Sequence, residues 1–326
     1  MNTTAKPIIV VHGADNVHDV PRLAELSQRC EIRMAADGAA LNAMLPGADV
    51  LLGWNFSAKD LRMAWKNAAE LRWIHWCGAG VDAALFPELV NSEVCLSNVR
   101  GLFDHAMAEY TLGLIQYFAK GFGRTIDSQQ HKRWDYRQIE MVAGREVLVV
   151  GVGSIGRAIG KLLQANHMQV VGVGRTARPD GEHFQRIASV SDLDTLLPKT
   201  DYVVLITPLT PTTAGLFQAQ QFKLMRNTSR FINLGRGALV NEAALTNALR
   251  QGEIAGAALD VFEQEPLPTE SPLWGMQNVF VSPHLSGDYI GYHADMADIF
   301  LDNFERYVKQ QPLRNLVDKQ LGFVPD

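Results

Sequence analysis

Three polar residues in loop-like, glycine- and proline-punctuated stretches are the ones best suited to chemistry. Arg236 lies in Asn233-Leu-Gly-Arg-Gly237, Glu265 in Asp260-Val-Phe-Glu-Gln-Glu265-Pro266, and His284 in Val281-Ser-Pro-His-Leu-Ser-Gly287. An arginine between two glycines packs poorly in a core but reaches a ligand easily. Its planar guanidinium is the natural bidentate partner of a carboxylate. A glutamate that hydrogen-bonds an imidazole favours the charged ring, and so keeps a proton ready for delivery near neutral pH. Taken singly, each residue reads as ordinary: a surface arginine, a solvated turn glutamate, a structural histidine. Their joint presence downstream of a nucleotide motif gives them weight.

That motif is Val147-Leu-Val-Val-Gly151-Val-Gly153-Ser-Ile-Gly156. It reads as a buried strand entering a G-x-G-x-x-G turn and then a helix, the order that a dinucleotide site requires. Gly151 permits the tight turn, Gly153 lets the backbone approach a pyrophosphate, and Gly156 allows close packing of helix on strand. The helix from Ser154 to Gln164 carries Ile155, Ile159 and Leu162 or Leu163 on one face. Its N-terminal N–H groups and dipole favour an anion. A second strand, Gln169–Val173, follows. An NAD site places an acidic residue about 20 residues beyond the motif to bind the ribose hydroxyls. Here the position holds Gly174-Arg175-Thr176-Ala177-Arg178, with no carboxylate before Asp180. Arg175 and Arg178 would pair with a 2′-phosphate, so NADP(H) is expected to be preferred, with NAD(H) possible.

Composition sets the frame. The chain has 326 residues, enough for two domains. Hydrophobic residues make up 47% and mean hydropathy is −0.04, as in a soluble globular protein. A net charge of −5 with no basic block argues against nucleic acid as a partner. Cys30, Cys77 and Cys95 show no metal-ligand spacing, and no metal is expected. The odd cysteine count and the absence of a signal-like apolar start suggest a cytoplasmic protein. No apolar run is long enough to span a bilayer.

These residues need elements to position them. Strand-like runs at Pro7–Val11, Ala48–Trp54, Leu71–Trp76 and Val94–Asn98 alternate with helical patterns, such as Asp19 to Cys30. A long amphipathic helix from about Asp104 to Lys120 precedes the glycine motif. Further strands are read at Asp201–Ile206, Ser229–Leu234, Gly256–Asp260 and Val279–Ser282, with a last helix from about Ala294 to Gln310. Such alternation implies an α/β protein with parallel sheets. The expected architecture is two Rossmann-like or flavodoxin-like domains, with the cofactor domain (102–291) inserted into a discontinuous substrate domain (1–101 and 292–326). Arg236, Glu265 and His284 then fall at strand ends, where ligands bind in open α/β sheets.

Across essentially its whole length the sequence resembles the D-isomer-specific 2-hydroxyacid dehydrogenases. The resemblance rests on Cys77-Gly-Ala-Gly-Val-Asp82, Asn98-Val-Arg-Gly101 leading into Ala108-Glu109, the Gly151–Gly156 turn, Ile232-Asn-Leu-Gly-Arg-Gly237, Ala258–Pro266 and Ser282-Pro-His284. Within the family it is most similar to the bacterial glyoxylate/hydroxypyruvate reductases. The resemblance implies reduction of a small 2-keto acid by hydride transfer. Arg236 would bind the substrate carboxylate, His284 would donate the proton, and Glu265 would orient His284. Ala79 and Gly80 would help hold the carboxylate, and Trp54 would narrow the pocket, unless it is ordinary core like Trp73 and Trp76. His75 reads as structural. The cofactor would contact Gly151, Gly153, Ser154, Ile155 and Gly156 at the turn, and Arg175, Thr176 and Arg178 at the ribose. Thr207 and Pro208 would line the adenosine side. Leu234, Gly235, Asp260, His284, Ser286 and Gly287 would lie toward the nicotinamide, with Asp260 on its carboxamide. The nicotinamide would lie between the domains, whose closure would exclude water. Relatives imply a homodimer built around the helix near 104–120. Trp134 and Arg137 would either reach the partner's site or cap that interface.

Other readings compete. A 3-phosphoglycerate dehydrogenase would call for an added basic cluster in the first domain, and none is identifiable. A formate dehydrogenase would carry Gln in place of the glutamate partner. A dehydrogenase for a larger 2-keto acid is a further alternative. So is a non-catalytic dinucleotide sensor, because fold alone does not exclude it.

Overall fold

Aliphatic and β-branched runs supply the interior of two parallel sheets. The computed structural model describes residues 6–56 and 58–325. These residues divide into two units. One is continuous, Phe103–Asp288. The other combines the chain up to Leu102 with that from Tyr289 onward.

In the discontinuous unit the strands are β1 (Ile8–His12), β2 (Glu31–Ala35), β3 (Val50–Gly53), β4 (Trp73–Trp76) and β5 (Cys95–Asn98). They are ordered β2-β1-β3-β4-β5 and all run parallel. Strands β3 and β4 are buried along their whole length, which is why they read as continuous apolar runs. Trp73 and Trp76 are fully buried, whereas Trp54 is half-buried. Trp73 stacks on Phe300 (5.5 Å) and Tyr307 (5.4 Å) of the final helix, Tyr292–Val308. Burial pushes His75 down to about 3, so its ring is neutral. It shares the Ser97 hydroxyl with Trp73 Nε1, each at 2.9 Å. The C-terminal tail lines the free side of β5: Val317 N–H donates to the Leu96 carbonyl (2.8 Å). Lys319 Nζ donates to the carbonyls of Leu89, Ser92 and Val94.

In the continuous unit the strands are β6 (Glu146–Val150), β7 (Gln169–Gly174), β8 (Arg178–Pro179), β9 (Arg186–Ser189), β10 (Tyr202–Leu205), β11 (Arg230–Asn233), β12 (Gly256–Leu259) and β13 (Val279–Val281). Their order is β13-β12-β11-β10-β6-β7-β9-β8, parallel except for the β8–β9 pair. The direction of winding reverses between β6 and β10. That reversal opens the crevice where an α/β sheet takes a ligand. Under the sheet, Phe217, Phe222 and Phe231 form a fully buried aromatic group with centroids 4.9–5.9 Å apart. The helix Asp104–Lys120 packs against the helix Ser154–Ala165.

Two features depart from the sequence expectation. The helix expected over Asp19–Cys30 is instead two short 3₁₀ turns, Val17–Asp19 and Leu23–Leu26. Pro21 lacks the N–H needed to continue a helix, and Arg22 adopts a left-handed conformation (φ 61°). Strands β2, β8 and β9 were not expected. Strand β2 lies at the edge of its sheet and β8 at the edge of the other, with β9 next to it; β2 and β9 mix polar and apolar residues rather than forming an apolar run.

Beyond the long helix, the segment 131–143 is an extended arm. Arg124 holds it through a two-pronged ion pair with Asp135 (2.6 and 2.9 Å), and Arg230 through another with Glu140 (2.7 and 3.2 Å). The Arg137 guanidinium turns inward onto the Gly121 carbonyl (2.8 Å) and Asp135. Trp134 points outward and is 97% exposed, with Tyr136, Ile139 and Met141 exposed beside it.

Candidate active site

The glycine turn is formed at the end of β6. Gly151 has φ +118°, and a Cβ there would stand 2.7 Å from the backbone of Ile206 and Thr207. A Cβ on Gly156 would fall 1.9 Å from the Gly151 carbonyl oxygen. Those two glycines let β6, the strand end at Thr207 and the helix Ser154–Ala165 meet. Gly153 differs, because a Cβ there would face open space. Gly153 is also the N-cap of the helix and supplies no side-chain cap, so the helix presents its first N–H groups outward. An open cradle at an uncapped helix N-terminus fits the pyrophosphate of a dinucleotide. Ser154 and Ile155 form its first turn and are half-buried.

The neighbouring loops converge on the same crevice. Thr207 and Pro208 follow β10, and the Pro208 carbonyl accepts the Thr213 hydroxyl (2.7 Å). Leu234 and Gly235 follow β11. Leu234 is buried, and its N–H donates to the Leu205 carbonyl (3.1 Å). Past β7, Arg175, Thr176 and Arg178 are exposed. The Arg175 carbonyl accepts the Ser189 hydroxyl (3.2 Å), and Arg178 opens the short edge strand β8. Asp180 accepts the N–H groups of Glu182 and His183 (2.9 and 3.0 Å), which commits this carboxylate to its own turn.

Glu265 and His284 meet: the His284 Nδ1–H donates to Glu265 Oε2 at 2.7 Å. The other Glu265 oxygen accepts the Phe262 N–H (3.0 Å). Burial pushes the Glu265 carboxyl up. The His284 hydrogen bond, the Phe262 N–H and the charge of Arg236 outweigh it and hold the group below the usual carboxylate range. Arg236 thus lies within electrostatic reach of the pair. Its loop sits close because Gly237 packs on the 262–263 backbone; a Cβ there would meet the Phe262 carbonyl at 1.9 Å.

Two supporting roles were not read from the sequence: Asn233 was not singled out, and Asp260 was expected only on the nicotinamide carboxamide. The buried Asn233 side chain accepts the Gly235 N–H and donates to the Arg236 carbonyl (both 3.1 Å), so it shapes the turn that presents the guanidinium. The Asp260 carboxylate accepts Ser282 Oγ (2.6 Å), Leu285 N–H (3.0 Å) and Ser286 N–H (2.9 Å), while its carbonyl accepts the His284 N–H (2.8 Å). This wrapping holds His284 at φ +52°, a left-handed conformation that is uncommon outside glycine. Both residues lay inside quoted motifs, but a side chain that binds its own loop has no spacing signature. Gly287 closes the loop, where a Cβ would stand 3.0 Å from the Phe103 ring.

Trp54, Ala79 and Gly80 belong to the other unit, at the C-terminal ends of its strands β3 and β4. The Ala79 carbonyl accepts the buried Asn98 side chain (2.7 Å), which fixes that turn.

Comparison with known proteins identifies the family. Residues 112–286 match the family described as D-isomer specific 2-hydroxyacid dehydrogenase, NAD binding domain. A glyoxylate reductase of Thermofilum pendens is 32% identical over 260 residues, 78% of this chain and 77% of that protein. Glyoxylate/hydroxypyruvate reductase B of Escherichia fergusonii is 41% identical over 175 residues, 53% of this chain and 54% of that one. The solved NADPH-dependent glyoxylate/hydroxypyruvate reductase of Sinorhizobium meliloti, in complex with NADP and sulfate, superposes with a TM-score of 0.83. It is 29% identical and covers 98% of this chain and 100% of its own. The chain therefore belongs to the D-isomer specific 2-hydroxyacid dehydrogenase family and is an NAD(P)-dependent oxidoreductase.

Proposed function

We propose that the protein reduces a small 2-keto acid, glyoxylate or hydroxypyruvate in type, to the D-2-hydroxy acid, with NADPH preferred over NADH. The observation that carries this reading is the 2.7 Å His284–Glu265 pair within the charge field of Arg236, in the unit that holds the glycine turn. When bound, the nicotinamide supplies the hydride. The uncapped helix N-terminus behind Gly153 holds the pyrophosphate, and Arg175 and Arg178 take the 2′-phosphate in place of the missing ribose carboxylate. Arg236 clamps the substrate carboxylate. Glu265 occupies His284 Nδ1 and so fixes the ring orientation. The proton then leaves from Nε2 to the carbonyl oxygen, where negative charge develops as hydride arrives at carbon. Asp260 keeps the loop that carries His284 in place.

We also propose a second copy of this chain as partner. Trp134 and its exposed apolar neighbours sit on an arm already ordered by ion pairs, and such a patch is typical of a protein interface. No helix among the described residues is long and apolar enough to cross a membrane, and a cytoplasmic location is proposed with the rest.

The decisive experiment is a steady-state panel of glyoxylate, hydroxypyruvate, pyruvate, phenylpyruvate and 2-ketoisocaproate with both cofactors. Highest kcat/KM on the two small acids with NADPH is the expected result. A clear NADH preference would refute the role of Arg175 and Arg178. Tight NADPH binding with no turnover would favour a sensor.

A further inference from the structure

We propose that His293 is a positioning residue for substrate size, because it holds the Trp54 indole in place. This rests on the reading above that the reaction takes a small 2-keto acid. In the discontinuous unit the winding reverses between β1 and β3, so ligand-facing loops emerge beside the ends of these two strands. Trp54 is the first residue after β3. Its N–H donates to the His12 carbonyl at the end of β1 (3.0 Å), so its backbone is pinned at that reversal. Its side chain is not core: Trp73 and Trp76 of the same sheet are fully buried, whereas Trp54 is only half-buried.

What fixes the indole is an aromatic stack outside the core. The exposed His293, in the first turn of the helix Tyr292–Val308, lies on it with centroids 5.6 Å apart and planes 29° apart. Tyr292 backs His293 at 4.0 Å and 31°. Tyr289 leans on Tyr292 at 6.2 Å and ties its hydroxyl to Asp295 of the same helix (2.5 Å). A stack of rings that buries little apolar area contributes little to folding, yet it limits the two side-chain dihedrals of Trp54. With His293 in place the indole stays as a wall. Without it the indole swings aside and a bulkier keto acid fits. An aromatic pair of this kind shifts such an equilibrium by about three- to tenfold.

The test compares wild type, His293→Ala, His293→Leu, His293→Phe, Trp54→Ala and the Trp54→Ala/His293→Ala double variant, on glyoxylate and phenylpyruvate. The expected result for His293→Ala and His293→Leu is a roughly three- to tenfold fall in the ratio of kcat/KM for glyoxylate over phenylpyruvate. The fall should be carried by KM, with kcat on glyoxylate within about twofold. His293→Phe keeps a flat ring and should restore the ratio. Trp54→Ala should lower the ratio at least as far, and the double variant no further. An unmoved ratio in His293→Ala and His293→Leu, or additive effects in the double variant, overturns the inference while leaving the reductase reading intact. Absence of wild-type turnover on every keto acid overturns both.

Discussion

At the scale of single residues, His284, Glu265 and Arg236 carry separable parts of the proposed reaction. His284→Ala removes the proton donor and should lower kcat by about 10²–10⁴-fold, the usual contribution of a positioned acid. Arg236→Ala should act mainly through KM for the keto acid, with a smaller loss in kcat. Steady-state kinetics of the two variants separate these roles, and a fully active His284→Ala would rule out the donor. Glu265 carries a sign that can be checked. Its carboxyl is held below the usual range in the folded chain. Its stabilising contribution is therefore complete above the ordinary glutamate value of about 4.3 and is lost as pH falls through the depressed one. The melting-temperature gap between wild type and Glu265→Gln should be widest near pH 7 and should close as pH drops below about 4. A gap that widens in acid would contradict this assignment.

At the scale of elements, the turn between β6 and the helix Ser154–Ala165 makes two glycines behave oppositely. In Gly156→Ala the new methyl meets the Gly151 carbonyl oxygen at 1.9 Å, a backbone atom that cannot move without shifting the strand end. That variant should lose both thermal stability and NADPH affinity. In Gly153→Ala the methyl enters open space, so the melting temperature should stay within a degree or two of wild type, at a position where φ is −73° and ordinary. Its NADPH affinity should nevertheless fall about tenfold or more, because the methyl occupies the approach of the pyrophosphate. Cofactor titration beside a thermal melt distinguishes the two, and unchanged affinity in Gly153→Ala would remove the pyrophosphate from this cradle. Expected strands such as Leu71–Trp76 were legible because central parallel strands are apolar on both faces. Edge strands β2 and β8, and β9 whose outer side meets only the two-residue β8, were not, because a strand side that faces away from the sheet tolerates polar residues.

At the scale of the molecule, the chain leaves one unit at Leu102, builds the other from Phe103 to Asp288, and returns. The arm at 131–143 is the feature of largest scale. Its ion pairs with Arg124 and Arg230 hold the backbone while Trp134 remains almost wholly exposed. A dimer is the expected state by analytical ultracentrifugation. Trp134→Glu with Tyr136→Glu should shift it toward monomer without unfolding the chain, since neither side chain is buried. A wild-type monomer at micromolar concentration would exclude the second copy as partner.

The sequence by itself determined the fold class and the nucleotide turn, and it offered the residues proposed for anion binding and proton transfer. Those properties are local: a strand-turn-helix run, glycine spacing and side-chain chemistry are all readable within about 15 residues. It also carried the absence of an acidic residue after β7, which points to NADPH. Only the tertiary structure decided that Glu265 and His284 lie 2.7 Å apart, with Arg236 acting on the pair. Only it showed that the Asp260 carboxylate is spent on the 282–286 loop, that Arg137 turns inward, and that His293 lies on Trp54. Each of these is a contact between side chains or loops that strand order brings together. Sequence periodicity fixes which face of an element is apolar, but not which distant loop a polar or exposed side chain will touch.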